Sequence, residues 1–384
     1  MDRKRAKRIF LIYEFLSEQG GLEREIIAHA NFLKEEGNEV KVLTCYCDKK
    51  ILKLLPFEGI KIEEISIIKT KIEWLDMALC FLGINKLKKY NPELFLSYSA
   101  PSNFLIRQFK NKKINYMNHY PHFLYLNTKE KFEWAKSTQG FKRKIIIFLS
   151  FFFGNWMKKI DNILVHKNLL IFTNSDYTRR RMDKLYDIKS KISYPPLDPK
   201  FSPSKNVINK KFLFCSSRLI PDKKIEWAID AVSLMEKRFP IYFAGTIVKA
   251  YKEKLEKLGN KKNVEIKFLG RLNTDEIINY YSSAEVFIFP TPLEDFGLVP
   301  VESLSCGTPC IVWGDNAGPT EQIIDGINGF YATPYDLKDF ARKIDEAITK
   351  EFKRKNRQEI IESARKFSAK EIKKSFIKEI NNIL

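Results

Sequence analysis

Two carboxylates, Glu294 and Glu302, frame the run Glu294-Asp-Phe-Gly-Leu-Val-Pro-Val-Glu302 between an apolar strand pattern and a helix start. Val286-Phe-Ile-Phe-Pro290 reads as a short buried strand, and Pro300 suits the first helical position. The pattern therefore predicts Glu294 on a loop and Glu302 in the first turn of a helix, both able to face one cleft. Gly297 lets a ligand approach the backbone, and the open N–H groups of a helix beginning near Pro300 favour phosphate oxygens. Carboxylates beside such a cradle suit a sugar joined to a diphosphate. The plainer alternative is a helix-stabilising Glu302 and a solvated Glu294, because first-turn acids complement the helix dipole.

A second charged segment, Ser217-Arg-Leu-Ile-Pro-Asp-Lys223, follows an apolar strand pattern at 212–216. Two fixed cations, Arg218 and Lys223, could stabilise charge developing on a departing diphosphate; a solvated basic turn is the alternative. The chain contains no Asp-x-Asp, the pattern expected where a metal ion holds a diphosphate. Cations and a helix N-terminus would then take that role, and neither a metal nor a cofactor is expected.

These residues need a scaffold. At 384 residues the chain exceeds one compact core and suits two domains, and 44% hydrophobic with 30% charged residues fits a soluble globular protein. Six scattered cysteines make no disulfide framework and no zinc spacing, so reduced thiols and a cytoplasmic setting are expected. The basic start, Met1 to Arg8, followed by Ile9-Phe-Leu-Ile-Tyr13, superficially resembles a signal peptide, but its apolar part is short and Glu14 interrupts it. No stretch reaches the roughly 18 to 20 apolar residues of a membrane span.

The first half reads as strand 8–13, turn Gly20-Gly21, helix 22–36, turn Gly37-Asn38 and strand 39–44, with Ile26, Ile27, Ala30, Phe32 and Leu33 clustered near one helix face. The three spaced glycines of a dinucleotide site are absent. Four prolines in Tyr194-Pro-Pro-Leu-Asp-Pro-Lys-Phe-Ser-Pro203 mark a linker. A second strand series follows at 212–216, 241–244, 264–268, 286–289 and 310–313, with a capping box at Asn273-Thr-Asp-Glu276. Strand-helix alternation implies a parallel sheet covered on both faces, with ligands at the carboxyl ends of its strands. The tail from Phe367 reads as one more helix, opened by Ser368-Ala-Lys-Glu371 and carrying Ile372, Phe376, Ile380 and Ile383 on one side.

Net charge is +20, and residues 1–200 carry 37 Lys+Arg against 22 Asp+Glu, so most of the excess lies in the first half. Such a field attracts a phosphate-bearing substrate, an anionic membrane or nucleic acid. Phe141-Lys-Arg-Lys144, the apolar run 145–153 and Trp156-Met-Lys-Lys159 form an apolar stretch fenced by basic residues. It is too short to span a bilayer, and it reads as lying on an anionic membrane surface or as a buried helix.

The pair Glu294 and Glu302, followed by Leu304-Ser-Cys-Gly-Thr-Pro-Cys-Ile-Val-Trp313 and Gly318-Pro-Thr-Glu321, resembles the nucleotide-sugar site of retaining glycosyltransferases of family 4. That resemblance implies an α/β fold of the GT-B type: two Rossmann-like domains facing across a cleft, 1–195 for the acceptor and 196–366 for the donor. The helix 367–384 would pack back on the first domain. It also implies that Glu294 reads the hydroxyls of the donor sugar, Glu302 the ribose, and Arg218 and Lys223 the diphosphate. Phe296, Gly297 and Leu298 would join them in holding the donor. Phe243-Ala-Gly245 and Phe268-Leu-Gly-Arg-Leu272 are similar to further donor segments, which brings in Gly245 and Leu272. Gly20 and Gly21 are similar to a glycine-rich loop near the donor phosphate and acceptor, and His119 in His119-Tyr-Pro-His122 to a histidine beside the donor sugar. Ser217 and Lys224 stand where the family usually has glycine.

The His-Tyr-Pro version resembles dolichol-linked mannosyltransferases. It implies a hexose, with mannose the first candidate, carried by GDP or UDP to a lipid-linked or cell-surface glycan, by an enzyme at the inner face of the cell membrane. Two rivals remain. One is a sugar-nucleotide epimerase or phosphorylase on the same fold; the other is a non-enzymatic nucleic-acid-binding protein, against which stands the lack of a basic module interleaved with aromatics.

Overall fold

The computed structural model describes residues 5–17, 20–48, 57, 59–65, 80–127, 131 and 140–384, side chains excepted at 80–83, 140–146 and 149. The chain divides into two units. Unit 1 comprises Met1–Ala135, Phe141–Pro196 and Ile372–Leu384; unit 2 comprises Lys136–Gly140 and Leu197–Glu371.

Unit 1 is built on β1 (Arg8–Leu16), β2 (Glu39–Cys47), β3 (Lys61–Glu64), β4 (Leu94–Tyr98), β5 (Lys112–Met117), β6 (Leu170–Thr173) and β7 (Lys191–Ile192). They form one sheet in the order β3-β2-β1-β4-β5-β6-β7, and every pairing is parallel. The two strands at its centre, β1 and β4, are near-continuous apolar runs, as burial on both faces demands. The strand read as 8–13 runs on to Leu16. Glu14 breaks the apolar pattern, yet its carboxylate is buried and accepts hydrogen bonds from the Ser99 and Ser102 hydroxyls, so the ladder continues past it. The expected first helix is α1 (Gly21–Glu35), which buries Ile26, Ile27, Ala30 and Leu33. The β4 crossover helix is α2 (Ser99–Leu105), and α3 (Gly140–His166) and α4 (Asp176–Tyr186) follow.

Unit 2 is a sheet of β8 (Leu213–Ser216), β9 (Ile241–Ala244), β10 (Ile266–Gly270), β11 (Val286–Ile288), β12 (Cys310–Trp313) and β13 (Gly329–Ala332), in the order β10-β9-β8-β11-β12-β13, again all parallel. Its helices are α5 (Ile225–Ser233), α6 (Lys249–Lys262), α7 (Thr274–Ser283), α8 (Leu298–Ser305) and α9 (Leu337–Thr349). The strand expected at 264–268 starts two residues later. Asn263, at φ 53°, ends α6 in the left-handed region, and the Val264 N–H still donates to the Gly259 carbonyl, so Val264 belongs to the helix cap. The Asn273 capping box forms in both directions, Glu276 N–H to Asn273 Oδ1 at 2.9 Å and Asn273 N–H to Glu276 Oε2 at 2.8 Å.

The last helix, α10 (Ala369–Ile383), buries Ile372, Phe376 and Ile380, and its residues from Ile372 onward belong to unit 1. Phe376 stacks on His29 of α1 at 4.1 Å with the rings nearly coplanar in orientation, and Lys373 bridges Glu35 at 2.9 Å and Glu36 at 3.0 Å. Within each unit the strand order reverses between two central neighbours, β1 and β4 in unit 1 and β8 and β11 in unit 2. Ligands of open parallel sheets bind at that reversal, outside the strands' carboxyl ends.

Candidate functional site

In unit 2 the loops leaving β8 and β11 flank the reversal point, the first carrying Arg218 and Lys223 and the second Glu294. Lys223 Nζ lies 2.5 Å from Glu294 Oε2, with 18% and 22% of the two side chains exposed. The pair is thus shielded but reachable. Thr291 Oγ1 donates to the Lys223 carbonyl at 3.2 Å and ties the loops together. Lys223 ends a one-turn 3-10 helix, Pro221–Lys223, and Lys224 follows at φ 51°, ψ 43°. A left-handed backbone is where glycine is ordinarily favoured, so Lys224 accepts strain at the position where the related pattern has glycine. Arg218 is exposed on the same loop.

Gly245, at the end of β9, supports that loop from below. It sits at φ +136°, and a Cβ there would lie 1.8 Å from the Ser217 carbonyl oxygen, so no other residue fits without moving the strand that leads to Arg218. Its N–H donates to the Gly270 carbonyl at 2.8 Å, joining the ends of β9 and β10. Leu272, two residues further, lines a different groove with Val207, Glu276, Asn279 and Tyr280, away from the Lys223 and Glu294 pair.

The β11 loop departs from the sequence reading. α8 begins at Leu298, and Pro300 occupies its third position rather than its first. Gly297, at φ 74°, turns the chain into the helix early, and proline is tolerated in the first turn because its missing N–H has no intrahelical partner there. Glu302 consequently falls in the second turn. It is 3% exposed and accepts a hydrogen bond from the Tyr281 hydroxyl at 2.9 Å, which in turn lies 2.6 Å from Ser216 Oγ at the end of β8. The two glutamates therefore do not present side by side: Glu294 faces the reversal point, and Glu302 is held inside. Phe296 is buried edge-on against Phe367, so only its backbone is available to a ligand, while Leu298 is partly exposed at the helix start.

Gln322, which the sequence reading passed over, fixes this loop. Fully buried, its side-chain amide donates to the Phe296 carbonyl at 2.7 Å and the Gly297 carbonyl at 2.8 Å. Gly318 assists, its N–H donating to the Glu294 carbonyl at 2.9 Å; a Cβ on Gly318 would meet the Asp295 carbonyl oxygen at 2.2 Å. A signal existed in Gly318-Pro-Thr-Glu-Gln322, since a glycine beside a turn points to close backbone approach.

The remaining sequence-derived residues lie in unit 1. Gly20 is the N-cap of α1; its N–H donates to Glu23 Oε2 at 3.0 Å, and a Cβ on Gly20 would sit 2.6 Å from that oxygen. The helix start that Gly20 and Gly21 form is therefore capped by the protein's own carboxylate. His119, exposed just past β5, stacks on His122 at 4.9 Å, and its Nδ1 lies 3.1 Å from the Tyr120 carbonyl. At the β1 and β4 reversal, the buried Glu14 carboxyl is pushed upward by desolvation against the opposing pull of the Ser102 and Ser99 hydroxyls and the charge of His119. Ser99 is held at φ 70°, a strained conformation for a serine, to reach it.

No group of three or more His, Cys, Asp or Glu among the described residues could hold a metal ion. The described cysteines are free thiols, and burial pushes Cys215 and Cys306 up to about 12, so neither is a ready nucleophile. What the unit 2 site offers is a shielded cation in contact with a carboxylate, a second cation on the same loop, and a rigidly held helix start.

Residues 198–367 match the family model of glycosyl transferases group 1. Over 205 residues the chain is 27% identical to the serotype-specific mannosyltransferase WbdA of Escherichia coli, a match covering 51% of this chain and 23% of that protein. It is 30% identical over 175 residues to an uncharacterized glycosyltransferase of Methanocaldococcus jannaschii, covering 43% of this chain and 48% of the relative. The chain thus spans less than half the length of these curated relatives. Among solved structures it is similar to Anabaena HepE in complex with UDP and glucose, with TM-score 0.75, 18% identity, and 98% and 100% of the two chains covered. A glycosyltransferase from Rickettsia africae gives TM-score 0.74 at 19% identity, with 99% of each chain covered. The fold is accordingly α/β of the GT-B type, with two Rossmann-like parallel-sheet domains.

Proposed function

We propose that this protein is a glycosyltransferase that moves a hexose from a nucleotide-sugar donor to an acceptor hydroxyl, with retention at the anomeric carbon. The observation that carries this reading is the Lys223 and Glu294 ion pair at the sheet reversal of unit 2. A donor diphosphate arriving there competes with Glu294 for the Lys223 ammonium. Once Lys223 turns to the phosphates, Glu294 is released as an acceptor for sugar hydroxyls, and Arg218 adds a second positive charge from the same loop. The N–H groups of Gly297 and Leu298 at the α8 start supply donors to phosphate oxygens.

As the glycosidic bond breaks, negative charge grows on the departing nucleoside diphosphate. Fixed cations stabilise that state more than the ground state, which is what accelerates the step. No metal or other cofactor is then required. Glu302 acts through the β8 end: with Tyr281 and Ser216 it sets the floor on which the ribose would rest.

Three observations bear on the finer choice. The identity shared with a named mannosyltransferase and the His119-Tyr-Pro motif favour mannose from GDP-mannose. UDP and glucose in HepE favour a UDP donor. A thermal-shift screen of the whole chain against UDP-, GDP- and ADP-sugars decides: one base class should raise the melting temperature in the wild type and not in Lys223→Ala. Turnover should then release the nucleoside diphosphate, whereas an epimerised but intact donor would point to the epimerase alternative. Stabilisation by none of them, with salt-sensitive retention on DNA, would favour the nucleic-acid reading instead.

A further inference from the structure

The α3 helix presents an aromatic surface to solvent that the sugar chemistry does not use. Phe148, Phe151, Phe152, Phe153 and Trp156 are 55–69% exposed within little more than two turns. The opposite side of the helix is the packed one: Ile147, Ser150, Asp161, Leu164 and Val165 are buried. The basic flank Phe141-Lys-Arg-Lys144 and residues 145 and 146 have side chains outside those described.

Phe148 and Phe152 meet edge-on at 5.1 Å, Trp156 continues their row at a spacing of four, and Phe151 and Phe153 flank it. At about 200 Å² per aromatic side chain, five rings exposed by half or more present roughly 600 Å² of apolar surface. That is at the top of what a monomeric protein leaves uncovered without a use for it.

The rim of the patch identifies its occupant. Lys131 Nζ stands 5.9 Å from the Phe151 ring, Lys158 Nζ lies 5.5 Å from the Tyr125 ring, and Lys159 is exposed on the same helix. In sequence, residues 101–150 contain ten Lys+Arg against two Asp+Glu. A second copy of the chain on this face would set lysines against lysines, because a two-fold interface joins like patches. An anionic bilayer satisfies both features: phenylalanine and tryptophan rings enter the headgroup and acyl boundary while the ammonium groups meet lipid phosphates. No helix among the described residues is long and apolar enough to cross a membrane, so the contact is interfacial.

We infer that the outward face of α3 docks the protein on the surface of an anionic phospholipid membrane. The inference stands apart from the donor site, which lies in unit 2. The test is co-sedimentation of the full chain with vesicles of phosphatidylcholine, with and without phosphatidylglycerol, alongside sedimentation velocity without lipid. Wild type should pellet with the phosphatidylglycerol vesicles, less so without them and less in high salt. F152S/W156S should lower the partition coefficient at least about tenfold while keeping the wild-type melting temperature, because both side chains already face solvent. F148S should act in the same direction and guards against an idiosyncrasy of one pair. Wild type left in the supernatant with anionic vesicles overturns the inference, as does equal pelleting of the variants. So does a wild-type dimer that F152S/W156S dissociates without any vesicle binding, which would assign the face to self-association.

Discussion

At the scale of residues, the account rests on groups that hold one another in place. Lys223 and Glu294 are shielded enough for their pairing to matter and open enough for a ligand to break it. Lys223→Ala should weaken donor binding by about ten- to a hundredfold, the value of one charge-assisted hydrogen bond, measured by calorimetric titration. Glu294→Gln separates the two halves of the proposal. It leaves Lys223 without its resident anion, so binding of the bare nucleoside diphosphate should hold or tighten while the sugar-bearing donor loses affinity. Gln322→Leu removes both amide hydrogen bonds that hold the Phe296 and Gly297 carbonyls. Thermal unfolding should register about 2 to 4 kcal/mol of lost stability, and donor affinity should fall with it.

At the scale of elements, α1 contributes two opposed pH dependences to the fold. It buries Glu25, whose carboxyl desolvation pushes up from 4.5 to about 8, and His29, whose imidazole burial pushes down from 6.5 to about 3. Folded Glu25 keeps its proton after the unfolded chain has released it, so stability falls as pH rises from 4.5 toward 8. Folded His29 stays neutral after the unfolded chain has charged, so stability also falls as pH drops from 6.5 toward 3. The two effects oppose each other between 4.5 and 6.5 and nearly cancel there. Between pH 6.5 and 8 the contribution of α1 comes from Glu25 alone, at up to about 1.4 kcal/mol per pH unit, and above pH 7 it is opposed by Lys353, whose ammonium burial pushes down to about 7. Urea unfolding of Glu25→Gln over that interval should lose this slope, and an unchanged slope would refute the assignment. The neighbouring α10 contributes Phe376 to the same core, and Phe376→Ala should cost about 3 to 5 kcal/mol.

Elements also show where sequence reasoning held and where it stopped. The strands at 241–244 and 310–313 and the Asn273 cap were legible because each is a local pattern: a buried apolar run, or a side chain bonding its own helix. The start of α8 was not. Pro300 is a true local signal, but Gly297 is turned into the left-handed region by a loop whose carbonyls are held by Gln322, twenty-five residues downstream of Gly297. Glu302 was read as facing the ligand because spacing alone cannot reveal that Tyr281 draws it inward. The strand at Gly329–Ala332 went unread because it is short and opens on a glycine, needed where a Cβ would meet the Cys310 carbonyl oxygen at 2.1 Å. Glu14 was taken for an interruption because its two serine partners lie more than eighty residues away.

At the scale of the whole molecule, two sheets share one plan, each running outward from a central reversal. One reversal holds Lys223 and Glu294; the other holds Glu14 and Ser99. The charge of the chain is asymmetric in the same division, with the positive excess in residues 1–200, where the aromatic face of α3 also lies. The central claim is that the reversal of unit 2 takes a nucleotide-linked sugar through Lys223. Calorimetric titration of wild type and Lys223→Ala with UDP-glucose and GDP-mannose tests it most directly. The account predicts saturable one-site binding of one of them by the wild type, weakened about ten- to a hundredfold in the variant. Equal affinity in the two proteins, or no binding of either donor or of its free nucleoside diphosphate, would contradict it.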